Sequence, residues 1–341
     1  MIDPVQVIFN GLLPSSLPHP EPCEAYAPSN IALSKYWGKR DQILNLPLNS
    51  SLSISLGNLG STTRVSAAAD GADGVWLDGE KLSNQSSFAR KALKFVDLFR
   101  RGQDLPLHIV TKNTIPTAAG LASSASGFAA LTRAICGAFK LDIPDTQLSM
   151  ISRFGSGSAT RSMWHGFVRW DRGIRADGTD CLARRLQYDW PEFRIAIIPV
   201  DTSIKMMPSS DGMRHTMATS PLFETWPKRA EADCTRVYKA IATRDFTTLG
   251  ETVEANALSM HATMLASRPV LNYLKPTSWA FLETIWNARK EGIEIYATMD
   301  AGANIKVIFL ESARTHIETL FPQGLVINPF VEQSQESCLT K

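Results

Sequence analysis

NTIPTAAGLASSASGFAALTRAIC, residues 113 to 136, is the stretch whose reading decides the fold. Ala118, Ala119, Gly120 and Ala122 are small enough for the backbone to close round an anion, and Ser123, Ser124 and Ser126 supply hydroxyls beside it. Phe128, Leu131, Thr132, Ile135 and Phe139 then recur at helical spacing, which predicts a helix with one buried stripe. The first turn of a helix leaves amide donors unpaired and carries partial positive charge, so a small-residue turn running into a helix start is a place for phosphate. The plain alternative is a packed loop whose serines cap a core helix. The stretch lacks the lysine of G-x-x-x-x-G-K-[ST] and does not match G-x-G-x-x-G, so it is neither a Walker loop nor a dinucleotide loop.

Working outward, LHIVTKN (107–113) alternates as a strand that delivers the chain into this turn. Residues 63–78 read as two strands joined by a turn at Asp70 and Gly71, and Phe88, Ala92, Phe95, Val96 and Phe99 trace a helix ending at Gly102. Earlier still, Leu52, Ile54 and Leu56 alternate with serines as a half-buried strand. Before it, Lys35, Lys39 and Arg40 stand among Tyr36 and Trp37, which suits either a phosphorylated ligand or a solvated basic turn. The four prolines of residues 1–22 predict an extended N-terminal arm outside the core. Downstream, GSGSATRS (155–162) sets Arg161 beside several hydroxyls, a good match for bidentate phosphate contact. A boundary is expected near 188–191, before the buried-looking strand FRIAIIPV. Helices follow at roughly 221–243, 245–266 and 276–291, with short strands either side of DAGAN. The expected units are an N-terminal domain over 23–190, a C-terminal domain over 191–331 and a tail over 332–341, an α+β arrangement with no fixed-period repeat.

The 341 residues are 44% hydrophobic and 20% charged with net charge +2, ordinary for a soluble globular protein and too nearly neutral to argue for nucleic acid or membrane partners. Cys23, Cys136, Cys181, Cys234 and Cys338 are scattered without C-x-x-C spacing, so neither a disulfide framework nor a zinc site is expected. Apolar runs fall short of the ~20 residues of a spanning helix, and Asp3 stands where a signal peptide carries basic residues. A cytoplasmic enzyme acting on a small molecule is expected.

PTAAGLASSASG resembles the phosphate loop of the GHMP kinase superfamily, and AYAPSNIALSKYWGKRDQILNLPLNSSLSISL, GSGSATRS, the IKMMPSSDGM segment and TMDAGAN resemble, in order, the motifs of the diphosphomevalonate decarboxylase family within it. That resemblance implies a two-domain GHMP kinase fold, with a ribosomal-protein-S5-domain-2-like N-terminal half and a ferredoxin-like α+β C-terminal half. It implies a cytoplasmic homodimer that uses ATP and Mg2+ to convert mevalonate 5-diphosphate to isopentenyl diphosphate in the mevalonate pathway of isoprenoid biosynthesis. By the same resemblance Asp300 is the catalytic base, assisted by Ser124 and Asn30. Lys35, Tyr36, Lys39, Ser156, Ser158, Arg161, Lys205, Ser209 and Ser210 bind substrate, and Pro116, Ala119, Gly120, Ala122, Ser123, Ser124 and Ser126 bind ATP, with Ser124 also on the metal. The chain departs from the family pattern at Thr160, where cysteine is frequent, at Ala303, where the family has proline, and at Asp211, after the serine pair. Asp211 keeps a monophosphate substrate, mevalonate 5-phosphate, open as an alternative. A C3-kinase that stops before decarboxylation, and a nucleotide-binding regulatory protein without turnover, are the other two.

Overall fold

Two long antiparallel strands, β1 (Cys23–Ser34) and β4 (Ser51–Ala67), form the spine, paired from Cys23 opposite Val65 to Ser34 opposite Leu52. Between them lies the small hairpin of β2 (Lys39–Asp41) and β3 (Leu46–Pro47). A computed structural model of the chain describes residues 3–115, 123–201 and 207–331. Among these, β4 also pairs with β7 (Leu107–Asn113) and β8 (Phe167–Trp170). The seven-stranded sheet is completed by β5 (Gly74–Leu77), β6 (Glu80–Leu82) and β9 (Ala183–Arg185) in the order β6-β5-β7-β4-β8-β9, with β1 on β4. The strands either side of Asp70 are therefore not neighbours, because β7 lies between them and runs parallel to β5.

The helix expected after the phosphate turn is α3 (Ser124–Ala138), preceded in the chain by α2 (Ser87–Arg100) and followed by α4 (Asp145–Ser152). Ala129, Ala130, Ala134 and Ala138 are wholly buried, and their small side chains let α3 lie close on β1 and β4. The predicted N-terminal arm is corrected by the structure. Residues Pro4–Leu12 form α1, whose Val5, Ile8 and Phe9 are buried, with the Phe9 ring 5.2 Å edge-on from Phe99. Proline was read as a breaker, but at the first helical position it costs nothing, and Asp3 caps the helix by accepting the Val5 N–H at 2.9 Å.

A second, four-stranded sheet runs β11 (Ile295–Thr298), β12 (Ile305–Leu310), β10 (Phe193–Ile198), β13 (Leu325–Ile327). Around it lie α5 (Ser209–Thr219), α6 (Trp226–Thr243), α7 (Phe246–Leu265), α8 (Pro276–Lys290) and α9 (Arg314–Leu320). One apolar cluster joins the two sheets, bringing Leu52, Ile54 and Leu56 of β4 together with Ile195 and Ile197 of β10 and Val253 of α7. The alternation along β4 had predicted a wet serine face, yet Ser51, Ser53 and Ser55 are 0–1% exposed. That face is covered by polar structure instead. Ser51 accepts a hydrogen bond from Arg161, while Ser55 donates to the Pro329 carbonyl and accepts from the Gly166 N–H.

Candidate active site

Asp300 sits in the turn between β11 and β12, fixed by a bond within the turn and by three other elements. The Gly302 N–H donates to the Asp300 carbonyl at 2.7 Å, and His261 of α7 places Nε2 3.1 Å from the same oxygen. The Asn304 side chain accepts the N–H groups of Val200 and Asp201 at 2.7 and 2.9 Å, tying the turn to the end of β10. Ser278 of α8 donates to the Ala303 carbonyl at 2.7 Å. On the carboxylate, Lys35 Nζ lies 2.9 Å from Oδ1 and Lys306 Nζ 3.3 Å from Oδ2. The lysine side chains are 2% and 4% exposed and the Asp300 side chain 38%, so both ammonium groups approach from behind a carboxylate that faces outward.

Lys35 is itself held at every polar point. Its N–H donates to Asn256 at 2.8 Å, its carbonyl accepts from Asn49 at 2.9 Å, and its ammonium also donates to the Ala32 carbonyl at 2.7 Å. Asn256 is oriented in turn by Asp233, 3.0 Å away. Burial pushes the Lys35 ammonium down to about 8. The Asp300 carboxylate opposes this, and the Lys306 and Arg161 cations add to it. Burial likewise pushes the His261 imidazole down to about 4, helped by the Lys35 charge, so His261 is neutral at pH 7 and donates from Nε2.

Gly157–Ser162, a 3-10 turn, carries the hydroxyl-rich motif. Arg161 is buried with Nη1 2.7 Å from the Ser51 hydroxyl and its guanidinium 5.7 Å from the Trp170 ring centroid, while its Nε has no acceptor among the described residues. Burial pushes it down to about 10, against the pull of Asp300 and the Tyr36 phenol. Tyr36 stands edge-on to Trp170 at 4.9 Å. Gly157 is required there, since a Cβ would lie 2.8 Å from the Tyr36 ring. Asn30 donates to the Ser162 hydroxyl at 2.8 Å and the Ser158 carbonyl at 3.2 Å, and the Ser156 and Ser158 hydroxyls are 3.1 Å apart.

The structure thus gathers Asp300, Lys35, Tyr36, Asn30, Ser156, Ser158 and Arg161 on the ends of β1, the 3-10 turn and the β11–β12 turn. Lys39 lies further off in β2, its ammonium pushed down by burial and by Arg214. Ser209 and Ser210 open α5, and Asp211 behind them is paired with Arg214 at 2.6 Å. At the start of α3, Ser123 makes no capping bond and Ser124 is exposed, which removes the reading of these serines as mere caps. Ser126, expected on ATP, lies apart from the exposed Ser124. It is fully buried, with its hydroxyl 2.8 Å from that of Ser61 and 3.1 Å from that of Ser29, so it joins helix to sheet. Pro116, Ala119, Gly120, Ala122 and Lys205 lie outside the described residues. Lys306, His261, Asn256 and Asn49 were missed. Only Lys306 carried a signal, a charge inside the apolar run of β12, which is costly unless paired.

The family model for a diphosphomevalonate decarboxylase-like N-terminal domain matches residues 27–183, and that for a mevalonate 5-diphosphate decarboxylase C-terminal domain matches 195–338. The chain belongs to the diphosphomevalonate decarboxylase family. As a member it is an ATP-dependent decarboxylase with the α+β GHMP kinase fold. Diphosphomevalonate decarboxylase mvd1 of Aspergillus fumigatus is 42% identical over 311 residues, 84% of this chain and 76% of that one. The mevalonate diphosphate decarboxylase structure from Staphylococcus aureus superposes with a TM-score of 0.86 at 34% identity, covering 92% of this chain and 96% of its own. The structure of MDDEF in complex with MVAPP, AMPPCP and magnesium gives 0.85 at 35% identity, covering 91% and 97%. Among the described residues no helix is long and apolar enough to cross a membrane.

Proposed function

We propose that this chain converts mevalonate 5-diphosphate and ATP to isopentenyl diphosphate, ADP, phosphate and carbon dioxide, with Asp300 facing the C3 hydroxyl. The observation that carries this reading is the outward-facing Asp300 carboxylate, braced from behind by two buried ammonium groups and within electrostatic reach of the Arg161 guanidinium. Asp300 takes the C3 hydroxyl proton as the oxygen attacks the γ-phosphorus of ATP, whose bond to the β,γ-bridging oxygen breaks with its electron pair leaving on ADP. The proton passes from the exposed side of the carboxyl to water before the second step, and positioning and charge neutralisation supply most of the rest. In the second step the C3–O bond breaks with its electron pair leaving on phosphate, and the C1–C2 pair becomes the C2=C3 bond as carbon dioxide departs. A carboxylate beside C3 stabilises the positive character that develops there.

The substrate diphosphate is assigned to Arg161, Tyr36, Lys39, Ser156, Ser158, Lys205, Ser209 and Ser210, with Asn30 ordering the Ser158 turn. The ATP phosphates are assigned to residues 116–124 and the start of α3, where Ser124 is exposed in the first turn and a helix N-terminus favours an anion. Among the described residues no three His, Cys, Asp or Glu side chains converge as a metal cage. That fits a magnesium ion held by Ser124, phosphate oxygens and water, and such an ion supplies charge neutralisation to the triphosphate. AMPPCP and magnesium accompany MVAPP in the MDDEF complex. Asp211, which had kept the monophosphate alternative open, is engaged by Arg214 and no longer argues for it. A cytoplasmic homodimer completes the reading. Its support is the family resemblance, and light scattering tests the dimer.

The deciding experiment supplies purified protein with ATP, magnesium and either mevalonate 5-diphosphate or mevalonate 5-phosphate. Equal ADP and carbon dioxide, with the diphosphate preferred, is expected. ADP without carbon dioxide, or preference for the monophosphate, overturns the proposal.

A further inference from the structure

Lys306 is an anomaly of its strand. It is 3% exposed in β12, opposite Ile197 of β10 and Thr298 of β11, and none of its cross-strand neighbours is acidic. An ammonium so placed costs stability unless something pairs with it, and an apolar residue would fill the position at less cost. Its polar contacts run to one place, Asp300 Oδ2 at 3.3 Å and the Asn304 carbonyl at 3.4 Å, both in the Asp300 turn.

We infer that Lys306 is a positioning residue of the decarboxylation, fixing the plane of the Asp300 carboxylate from the oxygen opposite Lys35 and keeping that carboxylate anionic. Each carboxylate oxygen has two lone pairs. With one lysine on each, the plane of the carboxylate is held from behind, while 38% of the side chain stays exposed. The inference rests on the functional reading above, in which Asp300 faces C3.

Among the described residues, the charges facing Asp300 come from Lys35 beyond β1, Lys306 on β12 and Arg161 on the 3-10 turn, while His261 on α7 stays neutral. Loss of Lys306 therefore has a signature that a packing residue lacks. An opposite charge leaves Asp300, so its pKa rises, and a like charge leaves Lys35, so its pKa rises too. Both limbs of the kcat–pH profile move to higher pH.

The test compares Lys306→Met and Lys306→Arg with the parent, measuring ADP and carbon dioxide release across pH with melting recorded alongside. Lys306→Met is expected to lose roughly ten- to hundredfold in kcat, as for one charge-assisted hydrogen bond, with KM for both substrates little changed. Both limbs should move up by roughly one unit. Lys306→Arg, which keeps the charge, should restore the limbs. In an Asp300→Asn background, Lys306→Met should cost little more. If Lys306→Met does not fold, Lys306→Gln takes its place with the same readings. Limbs that stay put while kcat falls, or full additivity with Asp300→Asn, overturn the inference. A parent protein that releases no carbon dioxide overturns the functional reading instead.

Discussion

Asp300→Asn isolates the carboxylate charge, because asparagine keeps the size and the turn-forming side chain. Two effects follow from the geometry. The first is chemical. On the proposed assignment of Asp300 as the base, kcat should fall by about 10²- to 10⁴-fold, the span of general-base contributions, while KM moves little because the residues assigned to the diphosphate, Arg161 and the serines, are unchanged. The second is on stability. Lys35 Nζ and Lys306 Nζ, 2.9 and 3.3 Å from the carboxylate, lose their counter-charge while remaining buried. Removing one member of a fully buried pair costs ~3–5 kcal/mol. The Asp300 side chain is 38% exposed, and solvent screening cuts the loss to about 1–2 kcal/mol. Lys35 also falls below its present value of about 8, so more of it is neutral near pH 7. The assay is ADP and carbon dioxide release beside a thermal melt. Turnover within tenfold of the parent refutes the catalytic assignment, and a kcat loss matched by wholesale unfolding refutes the separation of chemistry from folding.

Arg161→Gln removes a buried guanidinium assigned to the substrate diphosphate, so KM for mevalonate 5-diphosphate should rise roughly ten- to hundredfold with ATP affinity kept. Loss of nucleotide affinity alone would move Arg161 to the other ligand. Ser124→Ala should lower kcat while costing ~1 kcal/mol or less in stability, as expected for an exposed serine at the first position of a helix. A large melting shift with turnover kept would return Ser124 to a structural role. His261 has a folded pKa of about 4 against 6.5. Its contribution is full above 6.5 and is lost as pH falls from 6.5 toward 4, by about 3 kcal/mol in all. In His261→Gln, denaturant titrations should show a flatter acid slope across that window, and an unchanged slope would assign the acid loss to other groups.

Local chemistry made the motifs legible from sequence alone. The alternation of LHIVTKN and FRIAIIPV gave the strands of the two sheets, and the spacing after Ser126 gave α3, because side-chain period follows backbone geometry directly. The phosphate turn and the hydroxyl-flanked Arg161 could likewise be read, since small residues, hydroxyls and a guanidinium within a few positions suit an anion whatever surrounds them. Tertiary structure decided what depends on partners distant in the chain. Lys35 and Asp300 are 265 positions apart, and only the joining of β1 to the β11–β12 turn makes them a pair. Ser126 could not be told from Ser124 by sequence, because the difference is which one α3 turns toward Ser29 and Ser61. The serine face of β4 became buried for the same reason, since burial depends on what covers a surface and the covering segments, near Arg161 and Pro329, come more than a hundred residues later. Lys306 and His261 meet Asp300 only because the β11–β12 turn brings it to them.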